Sequence, residues 1–212
     1  MIDGNTDREW ERFGATDPYY GVFPDQKYRK GNLTPNAKES FFKSGEEHIA
    51  KVMASIRKHL DSSYAPRKPL DFGCGVGRLV IPLAKLAEHV VGIDISESMI
   101  AEAKKNCESA SITNVTFLRC DDELSQLLGE KYDLIHSFIV FQQLPVRRGE
   151  AIFKRLMRHL DDGGVCVVHF TYAKSSKMRT PISWIKSYIK SYIPLAKNLN
   201  NLIKGRVPSR FL

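Results

Sequence analysis

The chain has 212 residues and a net charge of +8, a length that suits one domain with a true core. Its four cysteines, Cys74, Cys107, Cys120 and Cys166, lie apart without metal-ligand spacing, and its six histidines are equally scattered, which excludes a disulfide scaffold or a zinc centre. The start, "MIDGNTDREWERFG", is polar and no apolar run is long enough to cross a bilayer, so neither a signal peptide nor a membrane span is expected and a cytoplasmic location is.

The charge is uneven. Residues 173–212 hold nine Lys or Arg and no Asp or Glu, which leaves the rest of the chain close to neutral. The basicity belongs to a tail, and a nucleic-acid partner does not follow from it.

Residues 1–36, with "WERFGATDPYYGVFPDQKYRKGNLTPN", show little periodicity and read as an arm or lid. "AKESFFKSGEEHIAKVMASIRKHL" reads as a helix, because Phe41, Phe42, Ile49, Val52, Met53, Ile56 and Leu60 recur at helical spacing. "APRKP" breaks it. Short β-like runs then alternate with helical patterns. "PLDF" leads into a helix over about residues 77–86. "HVVGIDI" is a buried strand, and Ser96 can cap the helix "ESMIAEAKKNC". "VTFLRC" is a third strand, with a short helix around "ELSQLL", and "YDLIHSFIVF" is a fourth. "RRGEAIFKRLMRHL" is a helix ending at "DDGG", and "VCVVHFTY" is a fifth strand. The alternation predicts an α/β fold over residues 37–172, a doubly wound, mostly parallel sheet with helices on both faces. Such sheets bind ligands beyond the carboxyl ends of their strands, where the strand order reverses.

The distinctive residues fall at those ends. "PLDFGCGVGRLVIPLA" places Gly73, Gly75 and Gly77 at alternate positions after Asp71. A nicotinamide-dinucleotide turn wants G-x-G-x-x-G. Counted from Gly73 the third glycine falls on Arg78, and counted from Gly75 on Val80. That disfavours an NAD(P)-dependent oxidoreductase, because the third glycine lets helix and strand pack closely. The bare backbone still allows close approach to a ligand. Asp94 ends the second strand, where a carboxylate can accept from both ribose hydroxyls. Asp121 and Asp122 end the third, where an acid can accept from an adenine amino group. Met99 stands where it can cover the adenine face.

"LDFGCGVGR", "VVGIDISESMI", "FLRCDDEL", "YDLIHSFIVFQQL" and "LDDGGVCVVHF", in this order and spacing, resemble the class I S-adenosylmethionine-dependent methyltransferases over about residues 66–172. "DPYYGVF" and "FFKSGEEHI" are similar to bacterial members whose substrates are mostly small molecules or sugars. The resemblance implies a Rossmann-like methyltransferase fold, with S-adenosylmethionine as cofactor and a small-molecule or glycan-type acceptor methylated by in-line displacement. It further implies that Asp71 and the backbone of Gly73, Cys74 and Gly75 hold the methionine end, Asp94 the ribose, and Ile95 and Met99 the adenine flanks. Asp121 and Asp122 would read the adenine edge, and Ser137 would face the amino-acid part.

Each residue also has a plain structural reading. The glycines make a tight turn, the acids open helices, and Met99 fills core. No residue declares itself a general base; Tyr20, His136 and His169 are candidates, though both histidines lie in apolar strands and also read as core. Tyr19 and Tyr20 close over the substrate or simply pack. Gln142 and Gln143 lie on the acceptor rim or in a solvated loop.

Class I members usually end with an antiparallel strand pair, and nothing after Tyr172 reads as a strand. That pair is expected to be missing or truncated. Residues 173–212 instead form a basic insertion or tail. In "ISWIKSYIKSYI", residues 182–193, Trp184, Ile185, Tyr188 and Ile189 share one helical side and Lys186 and Lys190 another. Such a segment packs over the pocket mouth or makes peripheral contact with an anionic membrane. A non-catalytic module acting on RNA or membrane through this tail is the alternative from another class.

Overall fold

The computed structural model describes residues 4–170. The basic segment 182–193, the last two residues of the expected fifth strand and the expected terminal pair lie outside the described residues. By internal contacts the chain divides into Met1–Leu144 with Arg148–Phe170 and Pro145–Arg147 with Thr171–Leu212; the architecture below is that of the first unit. Among the described residues no helix is long and apolar enough to cross a membrane.

Five strands form one parallel sheet in the order β3-β2-β1-β4-β5. They are β1 (Pro69–Phe72), β2 (Val90–Asp94), β3 (Val115–Arg119), β4 (Tyr132–Ser137) and β5 (Leu160–Val168). The chain winds outward from β1 to β3, then returns to place β4 on the other side of β1. The reversal opens a crevice at the carboxyl ends of β1 and β4. Every residue of β1 and β2 is buried, as expected of strands covered on both faces.

Alternate residues feed opposite cores. Val90 and Leu134 pack with Ile49, Val52, Met53 and Ile56 of helix α3 (Pro35–His59). Val91 and Ile135 pack with Ile152 and Leu156 of the last helix. Helix α3 starts where the Thr34 side chain accepts from Ala37 N, with Pro35 in its first turn, and its last turn is basic.

Helices α1 (Gly4–Thr16) and α2 (Pro18–Val22) occupy the region expected to be an irregular arm. Periodicity missed α1 because its docking is largely polar, as described below. Tyr19 and Tyr28 meet Phe41 edge-on, with ring centroids 5.2 and 5.1 Å apart. The helix expected over residues 77–86 shrinks to α4 (Val80–Ala84), because the glycine turn takes up the residues before it. Helix α5 (Glu97–Ser109) begins at Ser96, whose hydroxyl accepts from Met99 N, and α6 is Val146–Leu156. Around "ELSQLL" there is only a 3-10 turn, Ser125–Leu127. The "DDGG" segment lies within β5 as an irregularity: Tyr132 pairs with Leu160, but Leu134 pairs with Val165.

Candidate cofactor site

The glycine turn follows β1 at the crevice. Gly73 and Cys74 both donate from N–H to the Ile93 carbonyl, at 2.8 and 3.0 Å, which ties the turn to β2. Gly73 and Gly75 have φ of +74° and +52°, a region that favours glycine. A Cβ at Gly73 would lie 2.3 Å from Val140 Cγ2, and one at Gly75 would lie 2.7 Å from Val22 Cγ2. Side chains from β4's exit and from α2 therefore close on a backbone that must stay bare.

Beside the turn, Asp94 ends β2 and is 9% exposed. Its Oδ2 accepts from Gly75 N at 2.8 Å and its Oδ1 from Ser96 N at 2.9 Å. Burial pushes the carboxyl up to about 6, and the two N–H groups oppose the shift. Each oxygen keeps a further acceptor site.

These residues open on a cavity of about 540 Å³, a size that suits a small organic ligand. Gly73, Gly75, Asp94, Ile95, Met99, Asp121 and Asp122 line it. Asp71, Cys74 and Ser137 lie behind the wall instead. Ser137 Oγ donates to the Phe72 carbonyl at 3.0 Å. Cys74 is buried against Gly92, and burial raises its thiol pKa.

Asp121 accepts from Ser125 N at 3.0 Å, and this bond holds its carboxyl below the usual range. Asp122 has a different partner from the one expected. Both of its oxygens accept from Arg148 Nε, at 3.0 and 2.9 Å, while Asp7 of α1 accepts from Arg148 Nη1 and Nη2, at 2.6 and 2.9 Å. Burial opposes the charge on Arg148, and the two carboxylates more than reverse that, leaving its pKa raised. Glu11 adds a second fastening, accepting from Ser96 Oγ at 2.8 Å and from Ser98. So fastened, α1 brings Trp10 and Phe13 to the cavity, and α2 brings Tyr20 and Val22. Nothing local marks Asp7, Glu11 or Arg148 as paired, because each reads as part of a solvated charged face.

Asp71 meets a buried histidine. His136 Nδ1 lies 2.8 Å from Asp71 Oδ1, and His136 Nε2 lies 3.1 Å from His48 Nε2. The chain is satisfied when His136 donates from Nδ1 and accepts at Nε2. With both nitrogens engaged and the ring fully buried, His136 has no free nitrogen to serve as a general base. Tyr20 lines the cavity, whereas His169 is exposed and meets Phe138 at a tilt, with ring centroids 4.8 Å apart.

Burial, then His136 and Arg78, push His48 down to about 4; Asp71 opposes this and His169 adds to it. An unfolded histidine titrates near ~6.5, so acidification protonates the unfolded state first. The contribution of His48 to stability is therefore full above about pH 6.5 and falls as pH drops toward about 4. Asp94, raised to about 6, works in the opposite sense over its own window. The informative measurement is thus the difference between the wild type and His48→Gln. Between about pH 7 and about pH 5 the wild type is expected to lose more unfolding free energy than the variant. Parallel curves would show that His48 is not held neutral.

Residues 70–164 match the family model of a methyltransferase domain. The malonyl-[acyl-carrier protein] O-methyltransferase of Bacillus cereus is 34% identical over 122 residues, which are 57% of this chain and 43% of that protein. The magnesium-protoporphyrin O-methyltransferase of Synechocystis is 40% identical over 88 residues, 41% of this chain and 37% of the relative. The chain thus spans less than half the length of these curated relatives. A crystal structure of magnesium protoporphyrin IX methyltransferase from Synechocystis, with bound S-adenosylhomocysteine, is similar with a TM-score of 0.54 and 27% identity. That likeness covers 75% of this chain and 68% of the other. The sheet order, the glycine turn and these matches agree: residues 70–164 are a methyltransferase domain on the fold of the class I S-adenosylmethionine-dependent methyltransferases.

Proposed function

We propose that this protein transfers the methyl group of S-adenosylmethionine to a small-molecule or glycan-type acceptor by in-line displacement. The observation that carries the reading is Asp94, a buried carboxylate at the end of β2 that opens on the cavity beside a turn with no room for a Cβ. These residues fit the cofactor. Asp94 would accept from the ribose hydroxyls and Asp121 from the adenine edge, with Ile95 and Met99 as apolar flanks. The turn's bare backbone would lie against the methionine end.

When bound, S-adenosylmethionine supplies a methyl group already activated by its sulfonium. The chain's own part is then to position the reactants and exclude water. Trp10, Phe13 and Val22 give the cavity an apolar roof, which supports a small acceptor over a folded polymer. Of the three base candidates Tyr20, His136 and His169, only Tyr20 lines the cavity, and this supports it as the group that takes a proton where the acceptor must lose one.

Calorimetric titration with S-adenosylhomocysteine tests the reading, followed by transfer of a labelled methyl group to a panel of metabolites and glycans. Saturable binding and transfer to a small acceptor are expected. Undetectable binding at millimolar ligand in a folded sample sinks the proposal. A salt-sensitive shift of RNA, or binding to anionic vesicles, without any transfer would favour the non-catalytic module.

A further inference from the structure

Arg78 follows the glycine turn and is 4% exposed. Its Nη1 donates to Ser44 Oγ at 3.2 Å, and its buried Nε has no partner. The guanidinium carbon lies 6.0, 5.8 and 5.7 Å from the ring centroids of Phe23, Phe41 and Phe138. No described carboxylate forms an ion pair with it. Asp71, the acid whose charge acts on it, gives its Oδ1 to His136. Residues 171–212 contain no Asp or Glu, so Asp3 is the sole acidic side chain outside the described residues.

A buried cation without a counter-ion is costly, and aromatic faces repay only part of that cost. The free Nε–H is one member of the side-on fork with which an arginine grips a carboxylate through two parallel bonds. Arg78 does not itself line the cavity but shares a wall residue with it. Phe138 belongs both to the cage around Arg78 and to the wall of the cofactor cavity. Phe23, on another side of the cage, is 37% exposed and precedes Pro24 of the cavity wall.

We infer that Arg78 is the receptor for a carboxylate carried by a ligand of this cavity, either the acceptor's or that of the cofactor's amino-acid end. The inference rests on the reading of the cavity as a methyl-transfer site. Ser44 Oγ anchors one end of the guanidinium, and the three rings surround it. Acceptors bearing a carboxylate near the methylated atom are favoured if the acceptor supplies it.

The test uses the full chain with Arg78→Met, Arg78→Lys and Asp3→Ala. S-adenosylhomocysteine, which has the carboxylate, is compared by calorimetry with 5′-methylthioadenosine, which lacks the amino acid. If the cofactor supplies the group, Arg78→Met weakens the first at least about tenfold and leaves the second unchanged, while Arg78→Lys restores only part. If the acceptor supplies it, both nucleosides bind as before, and malonate titrated into the S-adenosylhomocysteine complex binds the wild type but not Arg78→Met. Either pattern supports the inference. Unchanged binding of both S-adenosylhomocysteine and malonate overturns it, as does an equal loss for both nucleosides. So does an Asp3→Ala loss that matches Arg78→Met, which would make Asp3 the partner.

Melting of the unliganded protein gives an independent readout. Replacing an unpaired buried ion by an apolar side chain of similar length should not lower the melting temperature, and a clear drop would assign Arg78 a structural role instead. A wild type that binds neither nucleoside would overturn the proposed function itself.

Discussion

Asp94→Ala is expected to weaken S-adenosylhomocysteine binding by roughly 2 kcal/mol or more, about thirtyfold, as for hydrogen bonds to a charged group. The carboxylate is already aimed by Gly75 N and Ser96 N, so it costs little to orient and leaves an acceptor site on each oxygen for the two ribose hydroxyls. Asp94→Asn is expected to fare little better. Its amide has one acceptor oxygen, and one of the two backbone donors would face an NH₂ group. The same carboxyl sets a pH dependence. Because burial raises it to about 6, affinity should be level above that value and fall as acid protonates the side chain. Calorimetry across this range checks both statements. An unchanged affinity in Asp94→Ala would remove the residue from the site, and a pH-independent affinity would show that its charge is not what binds.

The second large effect is on stability. Gly45 lies inside α3, where helix propensity alone predicts that alanine gains about 1 kcal/mol. The packing predicts the opposite. A Cβ at Gly45 would lie 2.2 Å from the Arg78 carbonyl oxygen and 2.9 Å from Arg78 Cγ. The first of these neighbours is backbone at the end of the glycine turn and cannot yield without moving it. Overpacking of this kind costs about 1–3 kcal/mol, occasionally more. Set against the propensity gain, a net loss of about 1 kcal/mol, rising to about 2 if the turn does not yield, is therefore expected for Gly45→Ala by urea unfolding. The displaced turn should also weaken S-adenosylhomocysteine. Gly31→Ala, which meets nothing within 4 Å, is the control and should be near neutral. A more stable Gly45→Ala would mean that α3 does not press on the turn.

Much of the sheet is legible because β1 and β2 are covered on both faces, so apart from Asp71 and the closing Asp94 their residues carry no charge. Asp94 stands out for the same reason, as an acid placed where such a run stops, whereas Asp121 follows the partly exposed β3. The glycine spacing is equally plain, since only that residue serves where the backbone must turn with positive φ against other side chains. What escapes a reading of the sequence is held by pairs far apart in it. Asp122 looks like an adenine contact until Arg148 is found between it and Asp7. Asp71 looks free for a cofactor amine, yet a histidine from β4 takes one of its oxygens. Helix α1 hides for a related reason, because it offers Asp7 and Glu11 as well as Trp10 and Phe13. The bulge in β5 comes from "DDGG", which reads locally as a stop signal and instead lies within the strand.

Asp7 and Arg148 are 141 positions apart, and this has a consequence for how the molecule is made. During synthesis α1 cannot settle on Arg148 until β1 to β4 and the start of α6 have been made. Closing so long a loop is entropically slow relative to local contacts, so α1 is seated late although it is translated before the sheet. A nascent domain therefore keeps the roof of its cofactor crevice open until the α6 arginine has been translated.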